Sequence, residues 1–121
     1  MFMAIDLHIH SIYSDGTFTP DEIVSRASKR SLSALSITDH DTAAATQEAI
    51  VSGEKYGIEI IPGIELSAEY KEYQLHILGY HYDHKNNYIK GKLDVLQEAR
   101  EKRNKLIIAK LQEHGVAITY R

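Results

Sequence analysis

The sequence predicts an α/β domain built on a parallel sheet with helices across it. Three observations carry that expectation. Strand-type runs at 2–9, 33–38 and 58–67 alternate with helical signals at 20–30 and 43–56, and a β-α-β-α-β order implies parallel strands joined by right-handed crossovers. The first run is more apolar than alternating, and the second, with small residues and partial alternation, suits a strand covered on both faces. The chain has 121 residues, 43% hydrophobic and 26% charged, the size and mix of one globular domain.

Residues 2–9 read as the first strand, more buried than alternating. Asp15-Gly16 is a turn dipeptide in the loop that follows. Thr19-Pro20-Asp21-Glu22 is a helix start, with Thr19 as N-cap, Pro20 in the first turn and Glu22 three residues after the cap. That helix runs to about Arg30 with Ile23, Val24 and Ala27 on one face. Ser33 to Thr38 is the second strand. A helix over 43–56 follows, with Thr42 or Asp41 as its cap and Gly57 just past its end.

Ile58 to Ser67 reads as a third strand, with Pro62-Gly63 as a bulge or interruption near its end. Glu69 to Tyr73 is a hairpin-like turn into a fourth strand, Gln74 to Tyr80, which pairs antiparallel with the third if the turn is tight. Tyr82 to Asn87 is a polar loop. A long helix is expected over 88–113, with Leu93, Leu96, Leu106, Ile107 and Leu111 at near-helical spacing. His114-Gly115 ends it, and Val116 to Thr119 begins another extended piece.

The composition excludes several function classes. A net charge of −3 supplies no whole-chain attraction to nucleic acid or membrane. The absence of cysteine rules out disulfides, thiolate metal sites and a cysteine nucleophile within the chain and suits a reducing compartment. Residues 1–7 lack a basic segment and a small-residue cleavage site, and no apolar run has membrane-spanning length. The expected setting is cytoplasmic.

The chemistry collects at strand ends. His8 and His10 lie two apart, so an extended backbone points both to one face. Alone the pair reads as surface histidines. Asp15 lies in the loop after them, Asp39-His40-Asp41 follow the second strand, Glu65 closes the third, and His76 lies on the fourth. In parallel α/β folds the carboxyl ends of strands meet at one face, and sites are built there. The set His8, His10, Asp15, His40, Glu65 and His76 offers only nitrogen and oxygen donors, which suits Mn²⁺, Fe²⁺ or Zn²⁺. It exceeds the ligand count of one catalytic zinc, so more than one metal is expected. Clustered metals hold both the attacking and leaving oxygens of a phosphoester, with water made acidic by the metals as the nucleophile.

These residues also carry a family resemblance. Asp6-Leu7-His8-Ile9-His10-Ser11 with Ser14-Asp15-Gly16, then Thr38-Asp39-His40-Asp41-Thr42, Pro62-Gly63-Ile64-Glu65-Leu66-Ser67 and Leu75-His76-Ile77-Leu78-Gly79-Tyr80 resemble the successive motifs of the PHP (polymerase and histidinol phosphatase) superfamily. Within it the chain is most similar to stand-alone bacterial phosphoesterases that act on nucleoside 3′,5′-bisphosphates or on short RNA from the 5′ end. The helix bearing Arg100, Arg103 and Asn104 shares that likeness.

The resemblance implies the first half of a distorted (β/α)₇ TIM-like barrel and up to three divalent metals in the complete protein. His8, His10 and Glu65 hold one, Glu65 bridges to a second held by His76, and Asp15 and His40 hold the third. Later ligands of the family, a mid-chain Cys or His and a terminal Asp-x-His pair, have no counterpart here. The chain is therefore expected to be an N-terminal portion, residues 1–121, whose helix at about 88–114 leads toward further chain. The implied function is a metal-dependent phosphoesterase acting on nucleotide phosphomonoesters or short oligonucleotides. The alternatives are a histidinol-phosphate phosphatase and a non-catalytic metal-binding module. Self-association, or contact with a missing C-terminal half, is expected because a half-barrel leaves open sheet edges.

Asp39 and Arg103 are candidate catalytic residues. Asp39 and Asp41 are each placed to orient a ligand histidine, with helix capping as the alternative for Asp41. Ser11, Ser14 and Thr42 read as loop and cap residues, and His81 and His84 as solvated. Arg100 and Arg103 lie three apart on one helix face and could grip a phosphate, or pair with Glu98 and Glu101. The Tyr70/Tyr73 and Tyr80/Tyr82 pairs could stack on a base, or pack at strand edges.

Overall fold

A computed structural model describes residues 4–120. The chain runs β1 (Ala4–Ile9), α1 (Pro20–Lys29), β2 (Leu32–Ile37), α2 (Ala44–Tyr56), β3 (Glu59–Ile60), β4 (Gly63–Tyr70), β5 (Tyr73–Tyr80) and α3 (Asn87–Glu113). Strands β1, β2 and β3 form a parallel sheet in that order, and β4 and β5 form an antiparallel hairpin. The α/β class, the parallel sheet and the helices across it are as expected. No helix among the described residues is long and apolar enough to cross a membrane.

β2 is the centre of the sheet and the most covered strand, with Ala34 to Ile37 all buried. Helices α1 and α2 pack on it through Ile23, Val24, Ala27, Ala45 and Ala49, and Leu35 and Val24 are wholly enclosed. The α1 start is a capping box. Glu22 N–H donates to Thr19 Oγ1 at 3.3 Å, and Thr19 N–H donates to Glu22 Oε2 at 2.9 Å. Replacing Thr19 with alanine removes this reciprocal pair, so Thr19→Ala is expected to lower the unfolding free energy by about 1 kcal/mol. Urea denaturation of the variant beside the parent measures it, and equal midpoints would show that the box adds nothing.

Five expectations change. β1 is more exposed than predicted: Ile5 is 59% exposed, because among the described residues β1 has β2 as its one neighbour, and of its described residues only Ile9 packs against the core. Residues 2–3 of that predicted strand lie outside the described residues. The predicted third strand is two strands, so of the two readings of Pro62-Gly63 the interruption holds and the bulge does not. Pro62 has no N–H to continue a ladder, so β3 stops and β4 starts at Gly63 with a new partner. Gly63 is required there, because a Cβ would overlap Ser36 Oγ.

Neither Asp41 nor Thr42 is the N-cap of α2. The cap position is Ala43, without a side-chain bond, and Thr42 Oγ1 instead accepts from Ala44 N–H at 3.2 Å. Gly57 does end α2, in the left-handed conformation at φ 70°. On α3 only Leu93 is buried among the described residues, Leu96 and Leu111 are half-buried, and Leu106 is 71% exposed, so the predicted apolar stripe is only partly covered. Residues 116–119 form no strand. Gly115 turns the chain at φ 82°, Val116 N–H donates to Leu111 O at 3.0 Å, and Gln112 Nε2 donates to Ile118 O at 2.7 Å, folding the segment back on the end of α3.

Candidate metal centre

The loop after β1 is wound tightly enough to bring Asp15 back over the strand end. Ser14 N–H and Gly16 N–H both donate to Ser11 O, at 3.1 and 2.9 Å, and Ile12 N–H donates to Phe18 O at 3.0 Å. Gly16 lies against the His10 carbonyl, where any Cβ would overlap it. Asp39 holds this loop from the next strand. Its carboxylate accepts from Ser11 N–H at 2.7 Å, Ser11 Oγ at 2.6 Å and Ser14 Oγ at 2.6 Å.

The segment after β2 is gripped on both sides. Thr38 N–H donates to Ile9 O at 2.7 Å on the β1 side. On the other side Glu65 N–H donates to Asp39 O at 3.2 Å and Asp41 N–H donates to Glu65 O at 2.9 Å, a parallel bridge between His40 and Glu65. Glu65 therefore reaches the end of β2 although Pro62 has already broken the strand. Asp41 takes φ 55°, a conformation aspartate tolerates better than most residues. Its carboxylate turns away from Asp39's partners and accepts from Ser67 N–H at 2.7 Å, Ser67 Oγ at 2.8 Å and Arg100 Nε at 3.0 Å.

With the backbone so fixed, four imidazoles surround one carboxylate. His8 Nε2 and His10 Nε2 lie 3.0 and 2.9 Å from Glu65 Oε2, and His76 Nδ1 lies 2.9 Å from Glu65 Oε1. His40 stands between the two acids, with Nδ1 3.6 Å from Glu65 Oε2 and Nε2 3.4 Å from Asp15 Oδ2. His10 Nδ1 lies 3.1 Å from Asp15 Oδ1. The rings crowd together, with His10 and His40 centroids 4.5 Å apart and His40 and His76 centroids 4.9 Å apart. Glu65 is 4% exposed. Burial alone pushes its carboxyl up, but the His8 hydrogen bond and the field of His40, His8 and His10 outweigh that and hold it below the usual carboxylate range.

This donor set fits divalent metal. Burial lowers the His40 pKa despite the opposing pull of Glu65 and Asp15, which favours the neutral ring at pH 7. A neutral imidazole carries one proton, yet both His40 nitrogens face carboxylate oxygens, and its buried Nδ1 has no hydrogen-bond partner. A lone pair aimed at a carboxylate is repulsive unless a cation lies between them. The donors form three groups whose ligand atoms all lie within 4.8 Å of one another: His8, His10 and Glu65; His10, Asp15 and His40; His40, Glu65 and His76. The structure thus brings together all six residues singled out in the sequence.

Other expected residues fall differently. Asp39 is 1% exposed and meets Ser11 and Ser14 directly; its link to a histidine runs through Ser14 Oγ, 3.3 Å from His10 Nδ1. Arg100 does not pair with Glu98 or Glu101. It bonds to Asp41, and Nη2 donates to Ser67 Oγ at 3.0 Å, while Glu101 pairs with Lys105 at 2.6 Å. Arg103 lies at a cleft shared with His76 and Arg100. His84 bonds to Gln47 at 3.2 Å, away from the cluster. Tyr80 OH donates to Leu7 O at 2.7 Å and Tyr82 OH bonds to Thr46 at 3.0 Å, so both serve packing. The Asp41–Ser67–Arg100 cluster was not anticipated; the arginine was visible, but its partners lie 33 and 59 residues away.

The chain matches known proteins along most of its length. It is 36% identical over 115 residues to a 5′-3′ exoribonuclease of Haemophilus influenzae, covering 95% of this chain and 42% of that one. It is 34% identical over 113 residues to a 3′,5′-nucleoside bisphosphate phosphatase of Chromobacterium violaceum, covering 93% of this chain and 40% of that protein. The structure superposes with TM-score 0.89 on an amidohydrolase from Chromobacterium violaceum solved with bound sulfate, at 34% identity over 94% of this chain and 40% of that chain. A Bifidobacterium adolescentis crystal structure superposes with TM-score 0.91 at 33% identity, covering 98% of this chain and 41% of its own. The chain spans about two fifths of the length of these relatives. The PHP domain model matches residues 6–117, and the chain belongs to the PHP domain family.

Proposed function

We propose that the protein is a metal-dependent phosphoesterase that hydrolyses phosphomonoesters of nucleotides or short oligonucleotides. The observation that carries this reading is the convergence of His8, His10, His40 and His76 on Glu65 and Asp15, with the His40 ring between the two acids and its buried Nδ1 unpartnered among the described residues. The relatives named as an exoribonuclease and a bisphosphate phosphatase support the substrate class. The assignment is His8, His10 and Glu65 to one metal, Glu65 and His76 to a second, and Asp15 and His40 to a third, with Mn²⁺, Fe²⁺ or Zn²⁺ as the ion. The (β/α)₇ half-barrel belongs to the same proposal. So does contact with further polypeptide, which the exposed Ile5, Leu75 and Ile77 support.

Divalent metal in this site supplies acidified water and positive charge for the phosphoryl oxygens. The chain's own residues prepare the place. Glu65, shared among the histidines, spaces the donors and would offset the charge of the cations they hold. Asp39 keeps the loop closed through Ser11 and Ser14, so that His10 and Asp15 stay aligned. On this reading Asp39 is a positioning residue and does not meet the substrate. Arg103 shares a cleft with His76 and Arg100, and with Arg100 it forms the arginine pair that would grip a substrate phosphate.

Dialysis against a chelator is expected to abolish phosphate release from adenosine 3′,5′-bisphosphate, and Mn²⁺ to restore it. Release by His10→Ala as fast as by the parent would overturn the assignment.

A further inference from the structure

Beside the metal donors lies a cavity of about 520 Å³, the size range of small-molecule sites. Asp15, His40 and Tyr120 are in its lining, one wall includes Tyr13, and another is the α3 face bearing Gln97, Arg100 and Asn104. These three recur at helical spacing and share one face. Both walls are fixed. Tyr13 OH donates to Glu48 at 3.2 Å and Tyr13 N–H donates to Ser11 Oγ at 3.2 Å. Gln97 Nε2 donates to Asp41 O at 3.2 Å, and Arg100 is bound to Asp41 and Ser67 through Nε and Nη2.

The lining is sparse in cations. Arg100 is its one cation, and Nη1 has no hydrogen bond within the described residues. The rest of the lining includes two tyrosine rings, Tyr13 and Tyr120, and the Gln97 and Asn104 amides, while the acid Glu101 is already paired with Lys105. A strand of phosphates would want a row of cations, and the cavity offers one. A neutral heterocycle wants a π-face and groups that both donate and accept, which Tyr13 and the Asn104 and Gln97 amides provide. We infer that this cavity is the nucleoside subsite, with the phosphate at the metal donors and Arg100, and the base between Tyr13 and Asn104. The inference rests on the phosphoesterase reading and adds which face of the metal centre the leaving nucleoside occupies. The expected tyrosine pairs at 70/73 and 80/82 do not line it; Tyr13 and Tyr120 do.

Titration calorimetry on the Mn²⁺-loaded protein tests it, with adenosine 5′-monophosphate and inorganic phosphate as probes. The parent is expected to bind the nucleotide at least about tenfold more tightly than phosphate, the size of one base-stacking contact. Tyr13→Ala and Asn104→Ala are each expected to shrink that ratio about five- to tenfold. A parent with no preference for the nucleotide, or variants that both keep it, would overturn the subsite while leaving the phosphoesterase reading intact. Nucleotide binding lost in the variants, with no phosphate binding in the parent, would uphold the subsite and overturn that reading. Binding of neither probe would overturn both.

Discussion

Glu65→Gln is expected to lower bound metal by at least one ion per chain and to slow phosphate release by more than about a hundredfold, beyond what losing a merely supporting contact costs. The reason is geometric. Both Glu65 oxygens are engaged, Oε2 toward His8 and His10 and Oε1 toward His76. Two of the three donor groups include it. Glutamine keeps the shape but replaces one oxygen with an NH₂, which cannot ligate a cation and would face an imidazole nitrogen as a donor. It also removes the negative charge that holds several cationic centres at close range. Metal content by plasma mass spectrometry and phosphate release measure the two effects separately. Unchanged metal and rate would mean that Glu65 is only a buried hydrogen-bond acceptor. Glu65→Asp keeps the charge on a shorter arm, so it is expected to retain metal better than glutamine does.

The ease with which this site was legible follows from how its residues are delivered. His8 and His10 share a face because they sit on an extended segment, and the rule needs no tertiary information. His40 follows the end of β2, on the rim that a β-α-β-α-β order builds, and Glu65 reaches that rim from near the start of β4, beyond the Pro62 break. Capping at Thr19 and the left-handed Gly57 are local in the same sense.

What was not legible depends on pairs distant in sequence. Whether β1 is covered depends on its having one neighbour or two. Whether Ile58 to Ser67 is one strand or two depends on which partner waits beyond Pro62, since proline removes one donor and does not choose the next partner. Asp39 and Asp41 flank His40 identically in the sequence, yet one binds the loop after β1 and the other binds β4 and α3. The positive φ at Asp41 makes that difference.

Asp41 is therefore where the second large effect is expected. Asp41→Ala is expected to reduce stability by about 2–4 kcal/mol, because a buried acceptor is lost to three donors at once and a partly buried guanidinium loses its counter-charge. Asp41 is 2% exposed. Burial pushes its carboxyl up, but the Ser67 and Arg100 hydrogen bonds outweigh that and hold it ionised below the usual range. Without the carboxylate, Ser67 N–H and Oγ and Arg100 Nε have no acceptor from this position.

Alanine is also less suited than aspartate to φ 55°. Asp41→Asn separates the contributions. It tolerates the same backbone and keeps one oxygen for Ser67, so it is expected to lose less than alanine, the difference from the parent reporting mainly the Arg100 pairing. α3 has little else to hold it, since Leu93 is its one buried residue among those described. Hydrogen exchange over 93–104 should accordingly rise in Asp41→Ala more than exchange over β2, whose own core contacts remain. Equal acceleration in both would show global destabilisation instead. Unchanged exchange in α3 would show that the helix is held by something other than the Asp41 clasp, and the α3 wall of the cavity would then owe its position to another contact.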